Sequence, residues 1–117
     1  MAQKFSPTFC QITVEELAHQ LDRSHNLQLL DVREPWELET ANLPGFINLP
    51  LSEFSDWSVN LDQQLDRHVE TLVLCHHGMR SAQMCQWLVS QGFTQVKNIT
   101  GGIEAYAVGV DPTLPRY

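Results

Sequence analysis

The sequence predicts an α/β fold: a mostly parallel central sheet of about five strands, with helices on both faces. Three observations point there. Short aliphatic or β-branched runs alternate with amphipathic stretches along the chain, as in strand–helix–strand units. Leu72-Val73-Leu74 has no polar interruption, which suits a strand buried on both faces. At 117 residues and 43% apolar content, the chain is long enough for a real core. No repeat or linker-like shift in composition divides it, so residues 1–117 read as one domain.

Residues 9–12 form the first short strand. Thr13 follows as an N-cap, and Glu16 completes a capping box ahead of Leu17, Ala18 and Leu21. The leucine-rich run 27–32 suits a buried strand. Pro35 opens a short helix through about residue 40. Pro44-Gly45 marks a turn, residues 46–49 another short strand, and 52–57 one or two helical turns. In the polar segment 58–70, Leu61, Leu65 and Val69 recur at helical spacing and predict a helix. Residues 71–74 are the central strand. From 81 to 91, Ala82, Cys85, Leu88 and Val89 form one apolar stripe, ended by Gly92 at a C′ position. Residues 96–99 make the last strand and 102–108 the last helix.

Charge and composition exclude several function classes. A formal charge of −7 argues against nucleic acid or an anionic membrane as partner. No apolar run approaches the ~20 residues that span a bilayer, and Met1-Ala2-Gln3-Lys4-Phe5-Ser6-Pro7 lacks the apolar stretch of a signal peptide. Three cysteines at irregular spacing do not form a disulfide framework, so a reducing, cytoplasmic setting is expected. Asn98-Ile99-Thr100 matches a glycosylation sequon by chance in that setting.

In parallel sheets ligands bind beyond the carboxyl ends of the strands. Cys75 stands at such an end, and Asp31-Val32-Arg33 at another. From Cys75 the loop His76-His77-Gly78-Met79-Arg80 leads through Ser81 into a helix. Loop N–H groups and a helix N-terminus converge there and stabilise an anion. Arg80 adds a fixed positive charge in a planar fork of donors. Cys75 is therefore expected to be a thiolate nucleophile. His76 and His77 lend backbone N–H groups to the cradle and rings to the pocket mouth, and either ring is a candidate general acid or base. Adjacent histidines in one tight loop cannot easily reach one ion together, so no metal is expected. Cys10, Cys85, Trp36 and Trp87 read as packing residues. Asp31 and Arg33 read as an ion pair bracing the rim, and Trp57 as a pocket wall or a core cover.

The segment Cys75 to Ser81 resembles the active-site loop of the rhodanese (sulfurtransferase) family. Other blocks resemble that family's in the same order: Asp31-Val32-Arg33-Glu34-Pro35-Trp36-Glu37, Leu43-Pro44-Gly45-Phe46-Ile47-Asn48-Leu49-Pro50-Leu51, and Thr100-Gly101-Gly102-Ile103-Glu104-Ala105-Tyr106. Asn42 stands where many members carry His, and Tyr106 where Trp is common. The resemblance implies a rhodanese-like fold, a persulfide on Cys75, an anion-binding loop from His76 through Arg80, and Asp31, Arg33 and Ser81 in support.

Cysteine–arginine loops also serve phosphatases and arsenate reductases, commonly with one more residue between Cys and Arg. Only His76, His77, Gly78 and Met79 intervene here. The smaller cradle suits one extra sulfur atom better than a tetrahedral oxyanion, and no aspartic general acid is evident. The expected reaction moves a sulfane sulfur from a small-molecule or protein donor such as thiosulfate to cyanide or a thiol, with no metal or organic cofactor. The alternative is a regulatory or protein-interaction module of the same family without turnover. The Pro-rich tail 110–117 has the composition of a segment that docks on the domain or on a partner.

Overall fold

The computed structural model describes residues 8–23 and 26–117; residues 1–7, read above as lacking a signal peptide's apolar stretch, lie outside the described residues. The expected architecture is present. Five parallel strands pair in the order β1-β5-β4-β2-β3. They are β1 (Cys10–Ile12), β2 (Leu27–Asp31), β3 (Ile47–Asn48), β4 (Glu70–Leu74) and β5 (Val96–Ile99). Helices α1 (Val14–Arg23), α2 (Pro35–Thr40), α3 (Phe54–Trp57), α4 (Leu61–Gln64), α5 (Met79–Ser90) and α6 (Gly102–Gly109) complete the fold.

The central strand β4 positions the site. Successive strand residues point to opposite faces, so Leu72 and Leu74 join one buried cluster with Leu17, Leu43 and Ile103. Val73 and Cys75 join the other, with Met84, Cys85 and Leu88 of α5 and with Trp57 and Leu61. The alternation therefore turns the Cys75 side chain toward α5.

Local chemistry explains the helix ends. Thr13 and Glu16 exchange the reciprocal bonds of a capping box at 2.9 and 3.1 Å, as expected. At the end of α5 the Phe93 N–H returns to the Leu88 carbonyl at 3.1 Å, around Gly92 at φ 95°.

Four expectations need correction. The helix expected over 58–70 is a 3₁₀ turn (Ser58–Asn60) followed by the single turn of α4. It stops at Gln64, where Leu65 turns to extended backbone, and the chain beyond it is held by an Asx turn in which the Asp66 carboxylate accepts from the His68 N–H at 2.8 Å rather than continuing the helix. Helix α5 begins at Met79, two residues before the expected start, with Gly78 in left-handed conformation as its N-cap. Cys10 is exposed, because β1 is an edge strand. Trp36 is 62% exposed, because the inward residue of its short helix is Glu37.

Candidate active site

Parallel pairing of β2 with β4 sets Asp31 opposite Leu74, and the Val32 N–H bonds the Leu74 carbonyl at 3.0 Å. Arg33 and Cys75 thus leave the sheet at the same rim.

The loop after Cys75 is shaped from behind by α6. The Ile103 N–H donates to the Cys75 carbonyl at 2.9 Å, and the Glu104 N–H to the His76 carbonyl at 3.1 Å. These are first-turn amides, which a helix cannot satisfy internally. Holding the two carbonyls against α6 leaves the opposite side of the loop for N–H groups. Gly102 permits the approach: a Cβ there would lie 2.4 Å from both the Cys75 and His76 carbonyl oxygens.

Cys75 is 1% exposed, so its sulfur forms the floor of the loop. The Gly78 N–H donates to Cys75 Sγ at 3.0 Å. Gly78 reaches that position at φ 102°, a conformation side chains disfavour. The Ser81 hydroxyl lies 3.2 Å from Sγ and donates to Asn98 Oδ1 at 2.5 Å. Cys85 lies on the same face of the sheet and differs in kind: burial, with the nearby Cys75 adding to it, pushes its thiol up to about 12.

Arg80 makes a forked pair with Glu37, Nη1 to Oε2 at 2.8 Å and Nη2 to Oε1 at 2.9 Å. That bond, with help from a backbone N–H and Tyr117, holds the Glu37 carboxyl at about 2 despite burial. The same pairing raises Arg80, whose charge also interacts with Cys75. Glu37 is tied further inward. Its Oε1 accepts from the Tyr117 hydroxyl at 3.0 Å. Tyr117 in turn accepts from Arg33 Nη1 at 2.8 Å, and Arg33 pairs with Asp31 at 2.7 Å. Arg33 is wholly buried, and these bonds supply the partners that a buried guanidinium requires.

The tail 110–117 docks on the domain. The Tyr117 ring stacks on His76 at 3.9 Å, and His76 stacks on His77 at 3.9 Å. Partial burial between these two rings, with the neighbouring His77 charge, lowers the His76 pKa.

Of the residues expected at the site, Gly78 and Ser81 meet the Cys75 sulfur, and Asp31 and Arg33 pair with each other beside it. His76 stacks on Tyr117 of the tail and His77 on His76. Met79 is 78% exposed at the loop's outer side, and Arg80 faces Glu37. Trp57 is a core residue, its indole N–H bonded to the Pro50 carbonyl at 2.8 Å. Sequence reasoning missed Glu37, Asn98 and Tyr117. The Glu34-x-x-Glu37 spacing is a capping box in the structure and signals an inward Glu37. Asn98, polar within the last strand, is the kind of buried group that must find partners. Nothing in the sequence signals Tyr117.

Fold and site together define a parallel α/β protein that presents a cysteine in an amide-lined loop at the carboxyl rim of its sheet. The chain belongs to the rhodanese-like domain family, whose model matches residues 13–108. It is 48% identical over 109 residues to the chloroplastic Rhodanese-like/PpiC domain-containing protein 12 of Arabidopsis thaliana, covering 91% of this chain and 36% of that protein. It is 32% identical to the putative sulfur carrier protein YrkF of Bacillus subtilis, covering 80% of this chain and 48% of the relative. The chain thus spans between a third and a half of these relatives. A rhodanese-like domain protein from Staphylococcus aureus superposes with a TM-score of 0.75 at 27% identity, over 93% of this chain and 99% of the other.

Proposed function

We propose that this protein is a sulfurtransferase that carries sulfane sulfur as a persulfide on Cys75. In the first half-reaction the Cys75 thiolate attacks the outer sulfur of a donor such as thiosulfate. A bond forms from Sγ to that sulfur, the donor's S–S bond breaks, and its electron pair leaves with sulfite. In the second, cyanide or a thiolate attacks the outer sulfur, and the Cys75 thiolate returns. No net oxidation of the protein occurs, and no metal or organic cofactor is needed.

One observation carries the choice of chemistry: the Gly78 N–H lies 3.0 Å from Cys75 Sγ, in a loop whose arginine is engaged through both terminal nitrogens by Glu37. Phosphate transfer needs a cationic fork around a multiply charged oxyanion. A guanidinium already neutralised by a carboxylate serves that poorly, whereas a singly charged persulfide needs mainly N–H donors. The first-turn N–H groups of α5 have no partner within the helix and are suited to the outer sulfur. The sulfur carrier relative, and the Arabidopsis adenylyltransferase and sulfurtransferase MOCS3, 29% identical over 123 residues, agree with sulfur chemistry. A reducing compartment such as the cytoplasm suits a reaction that runs through a free thiolate.

Thiocyanate formation from thiosulfate and cyanide tests the proposal. Cys75→Ser is expected to abolish turnover while remaining folded, and Cys10→Ser and Cys85→Ala to retain it. A folded but inactive Cys85→Ala, or an active Cys75→Ser, contradicts the assignment of the nucleophile.

A further inference from the structure

Hydrogen atoms can be counted around the Cys75 sulfur. Asn98 is 4% exposed, and its Nδ2 donates to the Gly78 carbonyl at 3.1 Å and to Gln11 Oε1 at 3.1 Å. Both amide hydrogens are thereby used, so Oδ1 faces Ser81 and can only accept. Ser81 is fully buried and owns one hydroxyl hydrogen, which goes to Asn98 Oδ1 at 2.5 Å. Its oxygen, 3.2 Å from Cys75 Sγ, is left as an acceptor for the Cys75 S–H. The bonds therefore run from Cys75 to Ser81 to Asn98, an arrangement that suits the thiol.

Loss of the thiol proton to solvent reverses the need. A sulfur anion wants donors, and the Gly78 N–H at 3.0 Å is one. The Ser81 hydrogen is a second only if it turns away from Asn98, which leaves a buried amide oxygen without its donor. A buried acceptor in that state carries a real cost.

We propose that Asn98 is a positioning residue that competes with the sulfur anion for the single Ser81 hydrogen, holding it away from the thiol and yielding it to thiolate or persulfide. The proposal rests on Cys75 being the sulfur-carrying nucleophile, but its test uses no sulfur donor. Thiolate ultraviolet absorbance is followed against pH, as the difference between each protein and its Cys75→Ser counterpart. Asn98→Ala is expected to move the midpoint to lower pH, with about tenfold more thiolate at a given pH, the effect of one hydrogen bond to a charged group. Ser81→Ala is expected to move it to higher pH. The double variant should match Ser81→Ala alone, because Asn98 acts through the hydroxyl. If Asn98→Ala moves the midpoint upward or not at all, or by the same amount with and without Ser81, Asn98 acts on loop structure and the proposal fails.

Asn98→Ala also removes the bonds to Gly78 and Gln11, so a measurement on the native side chain stands beside it. The infrared S–H stretch of Cys75, again as a difference against Cys75→Ser, should lie at lower frequency in the wild type than in Ser81→Ala. Equal frequencies would show that the thiol does not donate to Ser81 and would overturn the proposal. An inactive sulfurtransferase with the expected shifts would refute the functional assignment and support the role of Asn98.

Discussion

Cys75 and Cys85 are buried on the same face of the sheet, yet of the two it is Cys75 that receives a donor for a negative charge, the Gly78 N–H at 3.0 Å. A lone thiol in an apolar stripe stays protonated, while a thiol at a strand end meets loop amides; the sequence patterns distinguished these two cases. They did not reveal that Arg80 is shared with Glu37, because that pairing joins α2 to α5 across 43 positions. Glu37 should leave a clear signature. Its carboxyl is held at about 2, against an ordinary value of 4.5. A depressed carboxyl contributes stability that is fully present above the ordinary value and is lost as pH falls through the lowered one. Denaturant unfolding of the wild type should therefore weaken between about pH 4.5 and 2, by on the order of 2 kcal/mol from this group. Glu37→Gln should be less stable at neutral pH and lack that part of the acid slope. An identical slope in both proteins would remove Glu37 from the account.

At the scale of elements, the site depends on α6 being pressed against the Cys75 loop. The sequence marked both segments, and the strand pattern placed their strands correctly. It could not show that their backbones touch, since close approach appears in sequence only as glycine. The segment 58–70 misled for a related reason: its leucine spacing fits a helix, but Asp66 offers its side chain to the backbone two residues on. Gly102 tests the packing of loop on helix. A methyl group 2.4 Å from two carbonyl oxygens, on a residue at φ 62°, forces the loop or the helix to move. Gly102→Ala should cost about 3 kcal/mol or more in thermal or denaturant unfolding, and the folded fraction should transfer sulfur slowly. Wild-type stability with wild-type activity would mean that the loop does not rely on α6.

Across the whole molecule, the fold was legible because a parallel sheet buried on both faces leaves a strong apolar signature. The Pro-rich composition of the tail pointed to docking on the domain or on a partner, but not to the residues that do it: Tyr117 stacks on His76 and bonds Arg33 and Glu37 without any local pattern. Charge acts at this scale too. A formal charge of −7 would repel a dianionic donor such as thiosulfate at long range, a repulsion that salt screens, whereas hydrogen bonds from loop N–H groups act at contact and are screened less. The KM for thiosulfate should accordingly fall as ionic strength rises from about 0.01 to 0.15 M. A rising KM would mean that local positive charge governs capture.

Everything proposed for the site rests on Cys75 as the sulfur carrier. The most direct test of that role is one half-reaction: the protein is mixed with thiosulfate in the absence of any acceptor, and the Cys75 peptide is examined by mass spectrometry. One added sulfur atom is expected on Cys75, absent from the Cys10 and Cys85 peptides and discharged on adding cyanide. Sulfur on another cysteine, or a Cys75 that stays unmodified with thiosulfate and with every other sulfane donor tried, would contradict it.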